Sequence, residues 1–491
     1  MSHSTRHKRR RSRSNDRFDT QMIANGVLLI LFALLAGIAS YTMYAHNILA
    51  FRHVNVIYTA VLVVVFLVCL LLTLFKKGKH LVTVLLVLFS IVVGVSLFAF
   101  KSLVDVADNI NKTASYSEIE MKVVVPANSS ISDVSELTNV QAPTSADESN
   151  INALIANIKS EKGVELTVDP VDSYQSAYEN LINGSSQAMV LNSSYSSLLE
   201  LSYNDYESNL KTIYTYKIKK AIEDTAKTTD KNVFNIYISG IDTSGAVSTV
   251  SRSDVNLILT VNMNTHKILM TTTPRDSYVR IPDGGADQYD KLTHAGIYGI
   301  ETSVKTLENL YDIPINYYAR LNFTSFVKLI NALGGVTVYN DQAFTSLNGN
   351  YNFGVGNINL TSGEEALGFV RERYSLEHGD YDRGNNQLKV IQAIVEKLTS
   401  FQSVSNYSDV ISTLQDSIQT NMPLNTMMSL VNEQLDSGKT FIFSSQEVTG
   451  TGSTGQLTSY AMPNASLYMI QLDDASVAKA SQAIKNVMEG K

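Results

Sequence analysis

The chain holds a single cysteine in 491 residues, Cys69, and it falls inside a long apolar run. Everything after that run therefore lacks disulfides and must be held together by its core alone, which about 390 residues can do. No Gly-x-Ser-x-Gly nucleophile elbow occurs, so the abundant serines and threonines do not point to a serine hydrolase. His294, in KLTHAG, has no cysteine or histidine at ligand spacing, and a zinc site is not expected. GTGSTG at 450–455 spells the dinucleotide fingerprint, yet the residues after it reach Pro463 without a helical pattern. A glycine-rich loop is expected there.

Arginine is missing from most of the chain beyond residue 101. Arg252, Arg275, Arg280, Arg320, Arg371, Arg373 and Arg383 all fall within 252–383, alongside four lysines, whereas the rest of that part has sixteen lysines and no arginine. Guanidinium differs from ammonium in offering planar, bidentate hydrogen bonds to phosphate or carboxylate while staying charged. The segregation points to an oxyanion site within the window. FVRERYSLEHGDYDRGNNQLKV (369–390) poses the alternative: a salt-bridge lattice with Glu372, Asp380 and Asp382, or an anion cradle.

Three apolar runs occupy the N-terminal part, Met22–Tyr44, Val54–Phe75 and Leu81–Phe100, each about 20 residues and long enough to span a bilayer as a helix. Residues 1–101 carry twelve basic and two acidic residues, a balance of +10, so with −7 overall the remainder carries −17. The basic flanks HKRRRSRSNDR and KKGK place the N-terminus and the second connection in the cytoplasm, and everything after Phe100 outside. The tail is read as a topogenic flank, not a nucleic-acid or acidic-lipid site, because a span begins a few residues later.

The expected organisation is a cytoplasmic tail (1–21), three spans (22–101), a polar tether (102–118), a small α/β accessory domain (119–219), a charged linker (220–231) and a larger α/β domain (232–491). MKVVVPA, VELTVDPV and QAMVLN read as strands, with a helix over SADESNINALIANIKSEKG ending at Gly163 and another around SYQSAYENLING. The small domain has no arginine or histidine and reads as a spacer. In the larger one, VNLILTVNM alternates with Val255, Leu257, Leu259, Val261 and Met263 on one face, followed by a turn and KILMTTT. Helices are expected with Ile300, Val304, Leu307 and Tyr311 on one side, over TSFVKLINAL capped by Thr324, and over NNQLKVIQAIVEKLTSF.

Arg371 and Arg373 converge only on extended chain, so the helix begun at TSGEEALG should end before Arg371. Arg383 and Gln387 share a face at a helix start, where free N–H groups favour anions. Arg275 follows a strand and a proline and can project into a cleft. Asp242 and Asp254, at adjacent strand ends, could hold Mg²⁺ beside a diphosphate; equally, Asp242 could be a turn residue and Asp254 the partner of Arg252.

In this order, GIDTSG, SRSDVNLILTVN, TTTPRDSYVRIP, KLTHAGIYG, TSGEEALGFVRER and GDYDRGNNQ resemble the LytR–CpsA–Psr domain. The three spans and extra domain ahead of it resemble the streptococcal capsule-biosynthesis members of the CpsA/Wzg type. The resemblance implies an α/β/α domain with a central mixed sheet that grips a polyprenyl diphosphate, its lipid in an apolar channel. It implies transfer of a glycopolymer from that lipid to peptidoglycan, with polyprenyl pyrophosphatase activity in some members. Carried over by motif, Asp242 and Asp254 would hold Mg²⁺ or Mn²⁺, and Arg252, Arg275, Arg371, Arg373, Arg383 and Gln387 would bind or polarise the diphosphate. Arg275, Arg371, Arg373 and Asp254 are the catalytic candidates, Asp276 and Lys291 lesser ones, with deprotonation open between Asp254 and Asp276. Where many members carry a further basic residue, this chain has Gly384-Asn385-Asn386. The implied partners are the lipid-linked polysaccharide, the peptidoglycan acceptor and other capsule-assembly proteins in a bacterial plasma membrane, with no nucleic acid. The rival reading is a non-catalytic, polyprenyl-phosphate-binding regulator of capsule assembly.

Overall fold

The computed structural model describes residues 20–203, 205–222, 232–241, 247–399 and 418–491. Asp242, the basic tail to residue 19 and residues 223–231 of the expected linker lie outside the described residues. The chain divides into two compact units, 1–102 and 103–491.

In the first unit, helices Thr20–Ala45 and Val54–Leu74 and the start of Lys79–Ala114 are each long and apolar enough to cross a membrane. Phe32, Ala39, Leu62, Cys69, Leu86 and Val93 pack between them. Ile30, Leu34, Val64, Leu88 and Val95 face outward, an apolar exterior suited to lipid. A polar knot joins the first and third helices at one end. Gln21 Nε2 donates to Thr83 Oγ1 at 2.7 Å, and Thr83 Oγ1 to Asn25 Oδ1 at 2.7 Å.

The third helix runs to Ala114, which corrects the expected polar tether over 102–118. Polar composition did not prevent helix there, because the last turn is held by tertiary partners. Tyr318 Oη donates to the Ala114 carbonyl at 3.1 Å and Gln419 Nε2 to that of Thr113 at 2.6 Å. A strand, Tyr116–Pro126, begins almost at once.

That strand sits in a five-stranded sheet ordered Thr167–Pro170, Asn139–Ala142, Met189–Asn192, Tyr116–Pro126, Leu210–Ala221. Helix Thr144–Lys162 ends at Gly163, whose φ of 68° is the left-handed cap that glycine adopts without penalty. One face buries Val123, Ile151, Leu154 and Ile158. The other buries Tyr174, Leu181 and Met189 together with Ile297, Met462 and Met469 of the larger lobe. The small lobe is therefore not a spacer; the two share a core.

The larger lobe is built on a six-stranded mixed sheet ordered Gln419–Thr420, Tyr317–Asn322, Val233–Ile241, Ser253–Asn262, Lys267–Thr272, Ile442–Glu447. Tyr317–Asn322 runs parallel to Val233–Ile241, and Ile442–Glu447 parallel to Lys267–Thr272; the remaining pairings are antiparallel. Period-two alternation sorts the residues. Leu257, Leu259, Val261 and Met263 meet helices Asp380–Thr399 and Leu424–Ser437 through Leu388, Ile391, Met427 and Leu430. Tyr237, Ile258 and Leu269 meet helices Ile300–Tyr311 and Asp474–Met488 through Ile300, Val304, Leu307, Ala480 and Ile484. The result is the expected α/β/α layering.

Two local expectations change. Asn322, not Thr324, caps helix Phe323–Ala332, its Oδ1 accepting from Ser325 N at 2.8 Å. GTGSTG is not a loop: Gly450–Thr454 pairs antiparallel with Tyr468–Leu472, so close that a Cβ at Gly450 would sit 2.2 Å from the Gln471 carbonyl.

Candidate functional site

The site forms at one end of the large sheet. Strands Val233–Ile241 and Ser253–Asn262 pair Gly240 with Val255 and Ile241 with Ser253, which leaves Asp254 as the extra residue of a β-bulge. A bulge re-aims a side chain out of the ladder. Its carboxylate accepts from Arg275 Nη1 at 2.9 Å and from Thr293 Oγ1 at 3.2 Å. The expected ion-pair partner of Asp254 was Arg252; the guanidinium hydrogen-bonded to it is that of Arg275, with Arg252 acting through its field. Burial pushes the Asp254 carboxyl upward, but Arg275, Arg252 and Arg383 together outweigh it and hold it below the ordinary carboxylate range.

Arg275 lies just past strand Lys267–Thr272, on a turn closed by Ser277 N donating to the Pro274 carbonyl at 3.0 Å. The segment Leu292–Tyr298 straps this turn: Thr293 N donates to the Arg275 carbonyl at 2.9 Å, and Leu292 N to that of Ser277 at 2.8 Å. Beside it, Lys291 Nζ lies 2.5 Å from the buried Asp276 carboxylate, with Arg275 Nε 3.8 Å away on the other oxygen. His294 Nδ1 is 2.9 Å from Asp290 Oδ1, both fully buried, and Asp290 also accepts from Ala461 N at 2.8 Å. That pair anchors a loop and stands apart from the chemistry.

Helix Asp380–Thr399 covers the turn from above. Arg383 and Gln387, one turn apart, line a cleft open to solvent, together with Asp254, Arg275, Asp276, Tyr381 and Glu447. Gln387 Nε2 also donates to the Val370 carbonyl at 3.3 Å, tying this helix to the end of Gly363–Arg371. That helix includes Arg371, so it ends one residue later than expected; Glu372 is the first extended residue. The reason is Glu372 itself, whose carboxylate accepts from the backbone N–H of Arg373, Tyr374 and Ser375 at 2.8–3.0 Å and of Leu347 at 2.6 Å. It organises the exit from the helix, and Asp382 likewise accepts from His378 N at 2.8 Å and Gln342 Nε2 at 2.7 Å.

The arginine window does not converge as one set. Arg275 and Arg383 line the cleft, and Arg252, buried two residues before Asp254, adds its charge. Arg371 stacks over Phe323 with 4.2 Å to the ring centre, and Arg373 over Tyr374 at 4.5 Å; neither lines the cleft. Arg280 is exposed and bonds the Asp287 carbonyl. Arg320 is buried and structural, donating to the Val247 and Thr249 carbonyls at 3.2 and 2.9 Å, and burial lowers it to about 10.

Sequence reasoning missed Glu447. It ends the strand Ile442–Glu447, paired in register with Thr272, so the sheet delivers it to the same end as Arg275. Burial alone pushes its carboxyl up to about 7. Only the parallel pairing of two strands some 170 residues apart brings it here, and no local signal marks a glutamate at a strand end. Among the described residues no cluster of three or more His, Cys, Asp or Glu could hold a metal. The ionised Asp254 carboxylate on the cleft wall nevertheless fits Mg²⁺, which is commonly held by one or two carboxylates plus substrate phosphates.

A family model described as the LytR_cpsA_psr family matches residues 200–476, more than half of the chain. The chain belongs to the LytR–CpsA–Psr family. A polyisoprenyl-teichoic acid–peptidoglycan teichoic acid transferase TagU of Enterococcus faecalis is 33% identical over 282 residues, 56% of this chain and 87% of that protein. The TagU of Bacillus mycoides is 36% identical over 235 residues, 46% and 75% of the two chains. Among solved structures, TagV of B. subtilis is 24% identical over 53% of this chain and 99% of that one, at a TM-score of 0.46. TagT bound to LI-WTA is 28% identical over 54% and 96%, at 0.43. At those TM-scores the family membership rests on the sequence matches, and the layering on the sheet topology above. A second model, described as DNA polymerase processivity factor, matches residues 76–191. It covers under a quarter of the chain and assigns no family.

Proposed function

We propose that this chain is a membrane-anchored phosphotransferase that takes capsular polysaccharide from a polyprenyl diphosphate and attaches it to peptidoglycan outside the membrane. The observation that carries this is the cleft at the sheet end, where Arg275 and Arg383 face Asp254 within a LytR–CpsA–Psr domain. Relatives named as transferases of polyisoprenyl-linked teichoic acid to peptidoglycan support the reaction class. The three apolar helices and the additional lobe ahead of the family domain support the capsule assignment by their resemblance to capsule-biosynthesis members. Basic flanks support a cytoplasmic N-terminus and outward-facing lobes.

In this reading Arg275 and Arg383 bind the diphosphate oxygens and stabilise charge developing on the leaving lipid phosphate. Gln387 orients a phosphate oxygen by donating to it, and Arg252 adds positive field from beneath. Lys291 neutralises Asp276 beside Arg275. Arg371 and Arg373, which do not line the cleft, receive the sugar-linked phosphate as it enters. Asp254, with Asp242, would hold Mg²⁺ or Mn²⁺, which supplies Lewis-acid stabilisation of phosphate charge. Hydrolysis of polyprenyl pyrophosphate is the same displacement with water as acceptor.

Replacing Arg371 and Arg373 by alanine in the host should release polymer unattached to the wall, as should Arg275→Ala. Normal wall linkage in these variants would overturn the reading. Diphosphate binding by the wild-type protein without transfer or phosphate release would instead identify the non-catalytic regulator.

A further inference from the structure

We infer that Glu447 is the proton acceptor for the attacking hydroxyl of the acceptor sugar. The inference rests on the transfer reading above. Glu447 is half-buried and lines the cleft with Asp254, Arg275 and Arg383. Among the described residues its carboxyl makes neither hydrogen bond nor ion pair. A partly buried acid without a donor costs free energy, and a fold keeps one where a ligand or a proton completes it.

The other carboxylates of the cleft are committed. Asp254 is paired with Arg275 and Thr293, and its proton affinity is depressed. Asp276 is held by Lys291 Nζ at 2.5 Å. A carboxylate with depressed proton affinity, as at Asp254, takes a hydroxyl proton poorly. Glu447 is the opposite case, raised by burial to about 7, where a carboxylate is both deprotonated and basic at working pH.

Its surroundings are defined. On helix Asp380–Thr399, Tyr381, whose hydroxyl burial and then the Glu447 charge push upward, and Arg383 line the same cleft, and an added Cβ at Gly384 would lie 3.4 Å from Glu447 Oε1. Arg275 and Asp276 of the strand-end turn and the apolar Ile470 of strand Tyr468–Leu472 line the same cleft. The glycine at 384 leaves open the approach to the carboxyl.

The step balances. The acceptor oxygen forms a bond to the sugar-linked phosphorus as its proton passes to the Glu447 carboxylate. The bond from that phosphorus to the bridging oxygen breaks, and polyprenyl monophosphate leaves with the electron pair. Products are a phosphodiester between polymer and acceptor, the lipid monophosphate and a protonated Glu447, which returns its proton to solvent.

The test uses the full-length protein in lipid nanodiscs with Mg²⁺, a polyprenyl-diphosphate-linked saccharide as donor and a peptidoglycan oligomer as acceptor. Wild-type transfer should fall on the acidic side with a midpoint near 7. Glu447→Gln should lower kcat about 100-fold at pH 8 and abolish that limb, while the donor KM stays within about two-fold. Glu447→Asp should keep activity with a displaced limb, and it decides the matter if the glutamine variant melts early. A Glu447→Gln protein that transfers at the wild-type rate with the same acidic limb overturns the inference and leaves the transfer reading intact. A wild-type protein that binds the donor yet transfers nothing at any pH overturns both.

Discussion

Asp254 owes its place to one extra residue. The bulge opposite Gly240 turns its side chain out of the ladder and onto Arg275. Removing that guanidinium in Arg275→Ala should cut transfer about 10²-fold or more and raise the Asp254 carboxyl toward its ordinary range. Arg275→Lys should recover only part, because a point charge does not reproduce the planar fork. Steady-state kinetics on the three proteins checks this, and full activity in the lysine variant would refute the role of the fork. Glu447 makes a second prediction, in stability. Its folded carboxyl titrates near 7 against about 4.5 ordinarily, so the folded state holds the proton more tightly than the unfolded one. The contribution to stability is complete below the ordinary value and is lost as pH rises through 7. Glu447→Gln should therefore melt a few degrees above wild type at pH 8, with the gap closing toward pH 5. Equal melting temperatures at pH 8 would show that burial of this group carries no cost.

At the scale of elements, the segment Leu292–Tyr298 holds the Arg275 turn from one side and the Ser251–Ser253 backbone from the other. A Cβ at Gly296 would lie 2.5 Å from the Ser251 carbonyl oxygen and 2.8 Å from Ser253 N, and neither is a side-chain end that can swing away. Gly296→Ala should destabilise the protein by about 1–3 kcal/mol in a denaturant melt and lower transfer by displacing Arg252 and Asp254. An unchanged melt would mean the segment shifts freely. The elements themselves were largely legible. Alternation in VNLILTVNM sorted Leu257, Leu259 and Val261 to the face they occupy, and Gly163 marked a helix end. The stop at Arg371 was misplaced by one residue, because the Glu372 carboxylate that organises it acts through four amides, one of them on Leu347.

For the whole molecule, the small lobe is part of the machinery that shapes the site. Strand Tyr116–Pro126 exchanges backbone bonds with the loop leading to Arg252: Glu118 N donates to the Ser248 carbonyl at 2.9 Å and Val250 N to that of Glu118 at 3.1 Å. Arg320 holds the same loop from within the large lobe. Residues 232–491 without residues 103–231 should therefore melt well below 103–491 and bind a hydrophobic dye through uncovered Ile297, Met462 and Met469. Matching melts without dye binding would restore the spacer reading. The proposed topology has its own check. In a Cys69→Ala background, Lys77→Cys should react with an impermeant maleimide only after the membrane is opened, and Lys439→Cys in intact cells. The reverse pattern would invert the orientation.

Composition and periodicity by themselves determined the apolar helices, the two α/β lobes, the face each strand buries and the arginine-rich window, since these depend on spacing along the chain. Tertiary structure alone decided which arginines meet. Arg275 and Arg383 share a cleft, while Arg320 is spent on backbone carbonyls and Arg280 lies outside. It also supplied Glu447, which reaches the cleft through a parallel strand pairing that no local pattern encodes. The difference is one of range. Local patterns act over a few residues, whereas convergence at a sheet end depends on the order and register of strands distant in sequence.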